Sequence, residues 1–296
     1  MNLTTLKKLT QGHDWVGLGI AGNQAEHLDQ AGEAGDFLQV DAPDNAPKGI
    51  FPWYIPQNPG FLGVSPLSHD TLTHNGELRL QPEPEIALVL KLNYSSDSSH
   101  LLKSVSTLGF SVFNDCSRRE QEPKISIKKN WGPASQGMSD QVLAIDDFST
   151  PGGNIDHYRL TCHMERDGEL LVYGKDTAVS DYCYFNATLE DWITEQINNQ
   201  NDHGPLENIR ELISPCSPQY AVVGIGATCY TEFGNSDERF LKTGDTIHIT
   251  AYNASYHSAE TIKRCILENT IPSGDSTILH LRQSVAPITS KSPHLV

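Results

Sequence analysis

The strongest structural signal in the sequence is an apolar run behind two glutamates, Pro82-Glu83-Pro84-Glu85-Ile86-Ala87-Leu88-Val89-Leu90. Its length is that of a β-strand. Side chains alternate across a strand, so Glu83 and Glu85 would point to the same face. Pro82 and Pro84 remove backbone donors on one side, which suits an edge strand or a strand that lines a cavity. A solvated edge carrying two ordinary surface glutamates is the competing interpretation.

A second strand is predicted over 110–115, where Phe110-Ser111-Val112-Phe113-Asn114-Asp115 alternates apolar and polar residues. Asp115 stands at its end, where an aspartate alone is more often a turn or cap residue. Together with Glu83 and Glu85, it would supply three oxygen donors of the type that Mg²⁺, Mn²⁺ or Ca²⁺ prefers. The three carboxylates therefore predict a divalent metal site, completed by water and substrate oxygens.

Further strands are predicted along the rest of the chain. Residues 158–164 and 169–173 flank Arg166-Asp167-Gly168, a pattern typical of a hairpin with a glycine-containing turn. Late strands are predicted over 221–226 and 246–250. These short strands do not alternate regularly with helices, so the sequence indicates a mainly β protein with a few helices.

Two helices are expected. One is predicted over 99–108, with leucines and a valine on one face, and the other over 188–197, with Thr188 as its cap. Residues 198–218 and the tail after about residue 284 have the composition of loops.

Bulk composition limits the classes of function. The chain has 296 residues, within the range of a single large β-rich domain. Hydrophobic residues make up 38% and the mean hydropathy is -0.39, with no apolar run long enough to span a bilayer and no apolar signal-peptide core at the N-terminus. The expected location is the cytoplasm. The six dispersed cysteines are expected to be reduced thiols, and the 12 histidines are too scattered in sequence to suggest a metal cluster.

The formal net charge of -16 argues against nucleic acid and anionic membranes as partners. It does not exclude a small anionic substrate, because a bound cation reverses the local field inside an acidic protein.

One pattern suggests a different class of protein. Gly17-Leu18-Gly19-Ile20-Ala21-Gly22 matches the dinucleotide fingerprint, and Asp41 follows about 20 residues later. Only Trp15-Val16 precedes the first glycine as strand-like sequence, and Gly32 and Gly35 interrupt the stretch where a helix should pack. A nucleotide-dependent oxidoreductase is therefore the disfavoured alternative.

The two central motifs resemble the fumarylacetoacetate hydrolase family. The family's E-x-E strand is similar to 83–89, and its G-[FY]-x-V-x-N-D-x-S-x-R segment is similar to 109–119. Three outer stretches agree in order: Gly22-Asn23-Gln24-Ala25-Glu26-His27, the hairpin over 167–177, and Phe240-Leu241-Lys242-Thr243-Gly244-Asp245. The resemblance spans about residues 17–253.

The resemblance implies the family's mixed β-sandwich roll, a homodimer, and a metal site at the mouth of the roll. Glu83, Glu85 and Asp115 would hold Mg²⁺, or Mn²⁺ or Ca²⁺ in its place. The metal would chelate a 2-oxo acid or 1,3-diketone and stabilise the enolate formed when a C–C bond breaks. A lysine would complete the substrate site; Lys129 is the best match and Lys128 the competitor, and a solvated basic turn is the other interpretation.

Three further residues take roles by resemblance. His27 would serve as a base in a lid, and Arg118 and Thr228 would contact the substrate, Thr228 in place of the family's G-T-P loop. The family's hydrolases often place a glutamate one turn after the histidine, where this chain has Gln30. Because an amide cannot activate water, this departure weakens the case for hydrolysis.

The implied function is therefore a metal-dependent hydrolase or decarboxylase/isomerase acting on a 2-oxo acid or acylpyruvate-like anion. A non-catalytic binding protein on the same scaffold is the alternative. The predicted organisation is an N-terminal segment with a lid-like region over 1–60, a catalytic-type β roll over 61–253, and an unassigned C-terminal extension over 254–296.

Overall fold

The computed structural model describes residues 3–24, 30, 32, 34–37, 40, 42–43, 45–96 and 98–288. This part of the chain contains 16 β-strands and five α-helices. None of the helices in those ranges combines the length and the apolar character needed to cross a membrane.

The strands are β1 (Leu3–Thr4), β2 (Trp15–Ala21), β3 (Gly49–Tyr54), β4 (Leu67–Ser68), β5 (Thr71–His74), β6 (Leu80–Gln81), β7 (Pro84–Ser95), β8 (Ser98–Asn114), β9 (Ser117–Arg118), β10 (Gln136–Met138), β11 (Val142–Ala144), β12 (Tyr158–Arg166), β13 (Glu169–Ala178), β14 (Tyr220–Gly224), β15 (Thr246–Asn253) and β16 (Ile278–Pro287). The helices are α1 (Leu6–Thr10), α2 (Ile125–Lys129), α3 (Asn186–Asn199), α4 (Ile209–Ile213) and α5 (Ala259–Leu267).

Two large sheets organise these strands. A nine-stranded sheet has the order β1-β11-β8-β7-β14-β2-β3, with β10 beside β8 and β4 beside β10. A five-stranded sheet has the order β13-β12-β15-β16-β5, and β6 and β9 form a small third sheet. Most neighbours are antiparallel, whereas β14–β2, β10–β4 and β16–β5 are parallel. The predicted mainly β class with a few helices is confirmed.

Strand β7 lies in the interior of the nine-stranded sheet, and its alternation creates two apolar faces. Ile86, Leu88 and Leu90 join the main core, which also contains residues of the five-stranded sheet. Ala87 and Val89 face a second core. Because β7 is hydrogen-bonded to β8 and to β14, the edge-strand interpretation of the Pro82–Leu90 stretch is wrong. A single packed domain results, as the sequence length predicted.

The predicted hairpin and late strands are confirmed, but the helix expected over 99–108 is wrong. This stretch is the first half of β8, which pairs antiparallel with β7 from Leu90 and Thr107 to Tyr94 and Leu102. The local helical pattern is overridden here because pairing with a long central strand satisfies the backbone of both segments and buries Leu102 and Val105, whereas Leu101 is exposed.

Other boundaries also differ from the sequence prediction. The expected helix over 188–197 is confirmed as α3 but begins earlier, after Phe185, and Thr188 does not cap it. The stretch 198–218, expected to be a loop, contains α4. The tail is expected to be loop-like after about residue 284, but strand β16 extends to Pro287. All six cysteines are free thiols, as predicted.

The glycines of the nucleotide-like pattern lie inside β2. A Cβ at Gly17 would come within 2.3 Å of the Trp53 ring, and one at Gly19 within 2.3 Å of the Phe51 ring. The two glycines therefore admit aromatic side chains of β3, and they do not form the turn that a dinucleotide site requires.

Strands from both flanking segments belong to the shared sheets: β2 and β3 to the nine-stranded sheet, and β16 to the five-stranded one. The divisions at residues 60 and 253 stay predictions.

Candidate metal centre

The β7–β8 hairpin brings the three predicted carboxylates together. Pro84 pairs with Asn114, so the next position outward sets Glu83 opposite Asp115. The Asp115 amide donates to the Glu83 carbonyl at 3.0 Å, and the Glu83 amide donates to Asn114 Oδ1 at 3.1 Å. Glu85 follows two residues after Glu83, on the same face.

The result is a compact buried cluster. One carboxylate oxygen from each of Glu83, Glu85 and Asp115 lies within 4.8 Å of the other two. The three residues are exposed by only 5%, 2% and 1%. The interpretation of Glu83 and Glu85 as ordinary surface glutamates is therefore wrong, and the sequence prediction that the three carboxylates meet is correct.

Lys129, the last residue of α2, extends into this cluster. Its Nζ lies 2.7 Å from Asp115 Oδ2 and 3.0 Å from Glu83 Oε2, and it donates to the Asp115 carbonyl at 3.0 Å. The ammonium also lies 5.4 Å from the centre of the Phe51 ring. Lys128 and Lys129 are both buried, so the solvated-turn interpretation is wrong, and the Lys129 ammonium contacts the carboxylates directly.

Glu85 is held by a second segment, the turn that follows β14. The Gly226 amide donates to Glu85 Oε2 at 3.0 Å. A Cβ at Gly224 would lie 2.6 Å from the same oxygen, so a larger residue there would displace the carboxylate from its present position. Thr228 is buried behind this turn, and its amide donates to the Pro84 carbonyl at 3.1 Å. Its predicted contact with substrate stays a prediction.

The structure places Arg119, not Arg118, at the cluster. Arg119 Nη2 lies 2.7 Å from Glu83 Oε1, and its Nε donates to Gln81 Oε1 at 2.7 Å. Arg118 instead forms ion pairs at 3.4 Å with Glu120 and with Glu122 and faces a different cavity. Adjacent residues of an extended segment point in opposite directions, which explains why Arg119 rather than Arg118 reaches the carboxylates. The predicted contact of Arg118 with substrate stays a prediction.

A small cavity adjoins the carboxylates. It is lined by residues of β2 and the turn after it, of β3, α2 and the β14 turn, and by the cluster itself: Ile20, Ala21, Gly22, Asn23, Gln24, Phe51, Glu83, Glu85, Asp115, Ile125, Lys129 and Ala227. The space left for the centre of a water-sized sphere is about 20 Å³. That volume accommodates one ion or one water molecule.

Two polar side chains of the Gly22–Gln24 turn behave differently. Asn23 is fixed by the backbone, since its amide donates to the carbonyls of Tyr184 and Ile225 and its Oδ1 accepts from the Tyr184 amide. The Nε2 of Gln24 is buried and has no hydrogen-bond partner among the described residues. It is a donor available to a molecule in the cavity. His27 lies outside the described residues, so its predicted role is not addressed.

The electrostatics favour a bound cation. The three buried carboxylates lie close together, and Lys129 and Arg119 form ion pairs with two of them, Glu83 and Asp115. Burial and the charges of Asp115 and Glu83 raise the pKa of Glu85 well above its usual range, and Lys129 opposes that shift. A hard divalent ion such as Mg²⁺ would relieve this repulsion, and carboxylate oxygens are its preferred donors. The residues present therefore fit such an ion.

Some members of the site carried no clear sequence signal. Arg119 could have been chosen over Arg118 by strand parity, since residues 115, 117 and 119 share one side of an extended segment. Gln24, Gly224 and Gly226 reach the cluster from segments distant in sequence, and their positions follow from the sheet order alone.

Solved structures define the class of this fold. The chain is similar to a crystal structure of Cg1458 with inhibitor (15% identity, covering 92% of this chain and 77% of that one, TM-score 0.52). It is similar to a putative HpcE protein from Mycobacterium smegmatis (15%, 93% and 75%, TM-score 0.52) and to a probable 2-hydroxyhepta-2,4-diene-1,7-dioate isomerase from Mycobacterium abscessus (14%, 93% and 76%, TM-score 0.52). The predicted likeness to the fumarylacetoacetate hydrolase family is confirmed at the level of the fold.

The sequence itself matches one family model. Residues 33–285 match the family described as "Family of unknown function (DUF5718)", and the chain belongs to that family. No curated protein sequence matches it significantly.

Proposed function

We propose that this protein is a divalent-metal-dependent enzyme that acts on a small 2-oxo acid or an acylpyruvate-like anion. The reaction would be hydrolysis, decarboxylation or isomerisation. The observation that carries this proposal is the convergence of three buried carboxylates, a lysine ammonium and a buried amide donor on one small cavity. The shared fold with a probable 2-hydroxyhepta-2,4-diene-1,7-dioate isomerase agrees with a substrate of this kind.

Each residue of the site would have a separate role in binding the metal or the substrate. Glu83, Glu85 and Asp115 would hold the ion, Mg²⁺ or, in its place, Mn²⁺ or Ca²⁺. When bound, the ion would act as a Lewis acid that stabilises negative charge on adjacent substrate oxygens during C–C bond cleavage. Lys129 would bind or polarise a substrate oxygen, and the Gln24 amide would donate to another.

Arg119 would keep Glu83 ionised and oriented from behind, since its guanidinium contacts the oxygen that Lys129 does not. Thr228 and Arg118 remain candidates for substrate contact, and His27 remains the candidate base of the lid.

Gln30 bears on the type of reaction. Its Oε1 accepts a hydrogen bond from the Tyr230 amide at 2.9 Å, so this side chain is tied to the scaffold. A neutral amide does not accept a proton from water. Gln30 therefore favours decarboxylation or isomerisation over hydrolysis. It also supports the second candidate, a protein that binds metal and a small molecule on this scaffold without catalysis.

The proposal is tested by assaying a panel of acylpyruvates and oxaloacetate with Mg²⁺ or Mn²⁺. We expect turnover that depends on the metal and falls by at least about 100-fold in Asp115→Asn. Glu165→Gln, an exposed glutamate of β12, is the matched control and should keep full activity.

The two candidates separate in the same assay. Absence of turnover above the metal-only blank, with metal binding intact, would favour the binding protein. If the wild type does not bind a divalent metal, both the enzyme and the binding-protein proposals are wrong.

We also expect a homodimer with a small anionic substrate as its partner. Light scattering of the purified protein would test the oligomeric state.

A further inference from the structure

Helix α2 carries Lys129. The start of this helix is held by hydrogen bonds to the loop between α3 and α4. Lys124, just before the helix, donates to Asp202 Oδ1 at 2.8 Å and to the carbonyls of Gly204 and Leu206 at 3.0 and 2.7 Å. The Ile125 amide donates to the Pro205 carbonyl at 3.1 Å. Four backbone or side-chain acceptors of one loop therefore fix the start of the helix.

The next residue of α2 also contacts this loop. The Ser126 hydroxyl donates a hydrogen bond to Glu207 Oε1. Glu207 is 8% exposed, and its other oxygen, Oε2, has no hydrogen-bond partner among the described residues. The charged groups that face this carboxyl are Lys124 at the start of α2 and Asp202 of its own loop.

Helix α2 links the Ser126–Glu207 contact to the metal centre. Ile125 and Lys129 are four residues apart, so they share one face, and both line the cavity. At its other end, the Lys129 carbonyl accepts from Gln136 Nε2 at 2.6 Å. A helix of five residues is not stable by itself, so its position depends on contacts such as these.

We propose that Glu207 is a positioning residue: by holding Ser126 it fixes α2, and α2 in turn places the Lys129 ammonium between Glu83 and Asp115. As a claim about catalysis, this inference rests on the proposed function, in which Lys129 acts on the substrate. As a claim about geometry, it does not need a substrate.

A carboxyl group is an unusual choice for a purely structural anchor. Burial raises the pKa of Glu207 to about 7, while the Ser126 hydroxyl and Lys124 oppose that shift. A neutral amide would make the same contact without the desolvation of a charge. Buried acids with such shifted pKa values concentrate at functional sites. A hydroxyl bond to an ionised carboxylate is also stronger than one to a neutral group, so α2 is held most firmly when Glu207 is charged.

The first test follows the Lys129 ammonium in the metal-free protein by side-chain NMR of ¹⁵N-lysine, with the signal assigned by its loss in Lys129→Met. We expect the signal to shift or broaden in Ser126→Ala and in Glu207→Ala and to persist in Glu207→Gln, whose amide oxygen still accepts from Ser126. Thr107→Val and Glu190→Gln are matched controls, because they alter a hydroxyl–carboxylate bond of 2.7 Å between β8 and α3. An unchanged signal in both alanine variants would overturn the proposal.

The second test uses a substrate that the wild type turns over. We expect kcat/KM to fall by about 10- to 100-fold in Ser126→Ala and Glu207→Ala. The wild-type rate should rise as the pH passes through about 7, and Glu207→Gln should lack that rise. A Glu207→Gln profile that superimposes on the wild type would contradict the positioning role of the carboxylate, as would equal losses in the controls. If no substrate is turned over, the proposed function fails, while the NMR measurement still decides the geometric claim.

Discussion

Two largely buried clusters of titratable side chains lie in the two large sheets, and they differ in what surrounds them. The carboxylate cluster consists of Glu83, Glu85 and Asp115 in the nine-stranded sheet. The histidine cluster consists of three histidines on adjacent strands of the five-stranded sheet: His163, His248 and His280. His163 pairs directly with His248 across β12 and β15.

The charges next to the two clusters have opposite effects on ionisation: cations stabilise the charged carboxylates, whereas cations disfavour the charged form of the histidines. The carboxylates are compensated by Lys129 and Arg119 at 2.7–3.0 Å. The histidines lie near further cations, Lys263 and Arg282, and burial together with these neighbours lowers their pKa values to about 4, 3 and 4. They are therefore neutral at pH 7, and His248 Nδ1 lies 3.2 Å from His280 Nε2 in nearly parallel rings.

The comparison teaches that burial of titratable groups does not by itself make a ligand site. In the histidine cluster, two ring nitrogens point at each other and use their hydrogen-bonding capacity internally. In the carboxylate cluster, oxygens from three residues converge beside a cavity, together with an ammonium and an amide donor. The convergence of several carboxylate oxygens on open space is the feature that points to an ion.

The largest expected effect comes from removing the cation of the carboxylate cluster. Lys129→Met removes the ammonium that contacts both Glu83 and Asp115, so we expect the free energy of unfolding in metal-free buffer to fall by about 3–5 kcal/mol. Urea denaturation at pH 7 measures this change. Lys91→Met, an exposed lysine of β7, is the control and should stay within about 0.5 kcal/mol of the wild type. Equal losses in both variants would show that the charge balance inferred here is wrong.

A smaller effect is expected at Glu207, whose pKa is about 7 in the folded protein against about 4.5 unfolded. The folded state holds the proton longer, so this group's contribution to stability is present below pH 4.5 and is lost as the pH rises through 7. Glu207→Gln should therefore be more stable than the wild type by about 2–3 kcal/mol at pH 8.5 and nearly equal to it at pH 5. Denaturation at the two pH values checks this sign, and a variant that gains at pH 5 instead would refute it.

The histidine cluster should show the opposite dependence on pH. His163 has a folded pKa of about 4, below the unfolded value of about 6.5, so the unfolded chain binds the proton first as the pH falls. Its contribution to stability is complete above 6.5 and is lost towards pH 4. In His163→Gln, the loss of stability between pH 7 and pH 5 should be smaller by about 2 kcal/mol. His69→Gln, in an exposed position, should lose as much as the wild type.

The sequence predicted the carboxylate cluster because its parts are local. Glu83 and Glu85 are two residues apart in a strand, Asp115 ends the paired strand, and Lys129 lies in the next helix. Each is marked by its own short pattern, and the family resemblance supplied their grouping.

The histidine cluster and the hydrogen bonds that hold α2 to the α3–α4 loop could not be predicted in this way. Their members come from strands and loops that meet only through the sheet order, as β12, β15 and β16 do, and a single sequence does not encode that order in any local pattern. The first half of β8 was missed for a related reason: its pairing with β7 outweighs its helical pattern.

The central claim is that Glu83, Glu85 and Asp115 bind a divalent ion, and titration calorimetry with Mn²⁺ and Mg²⁺ tests it most directly. The wild type should bind one ion per chain, Glu83→Gln should lose that binding, and Glu165→Gln on the five-stranded sheet should retain it. Stoichiometric binding that persists in Glu83→Gln would contradict the assignment of the site.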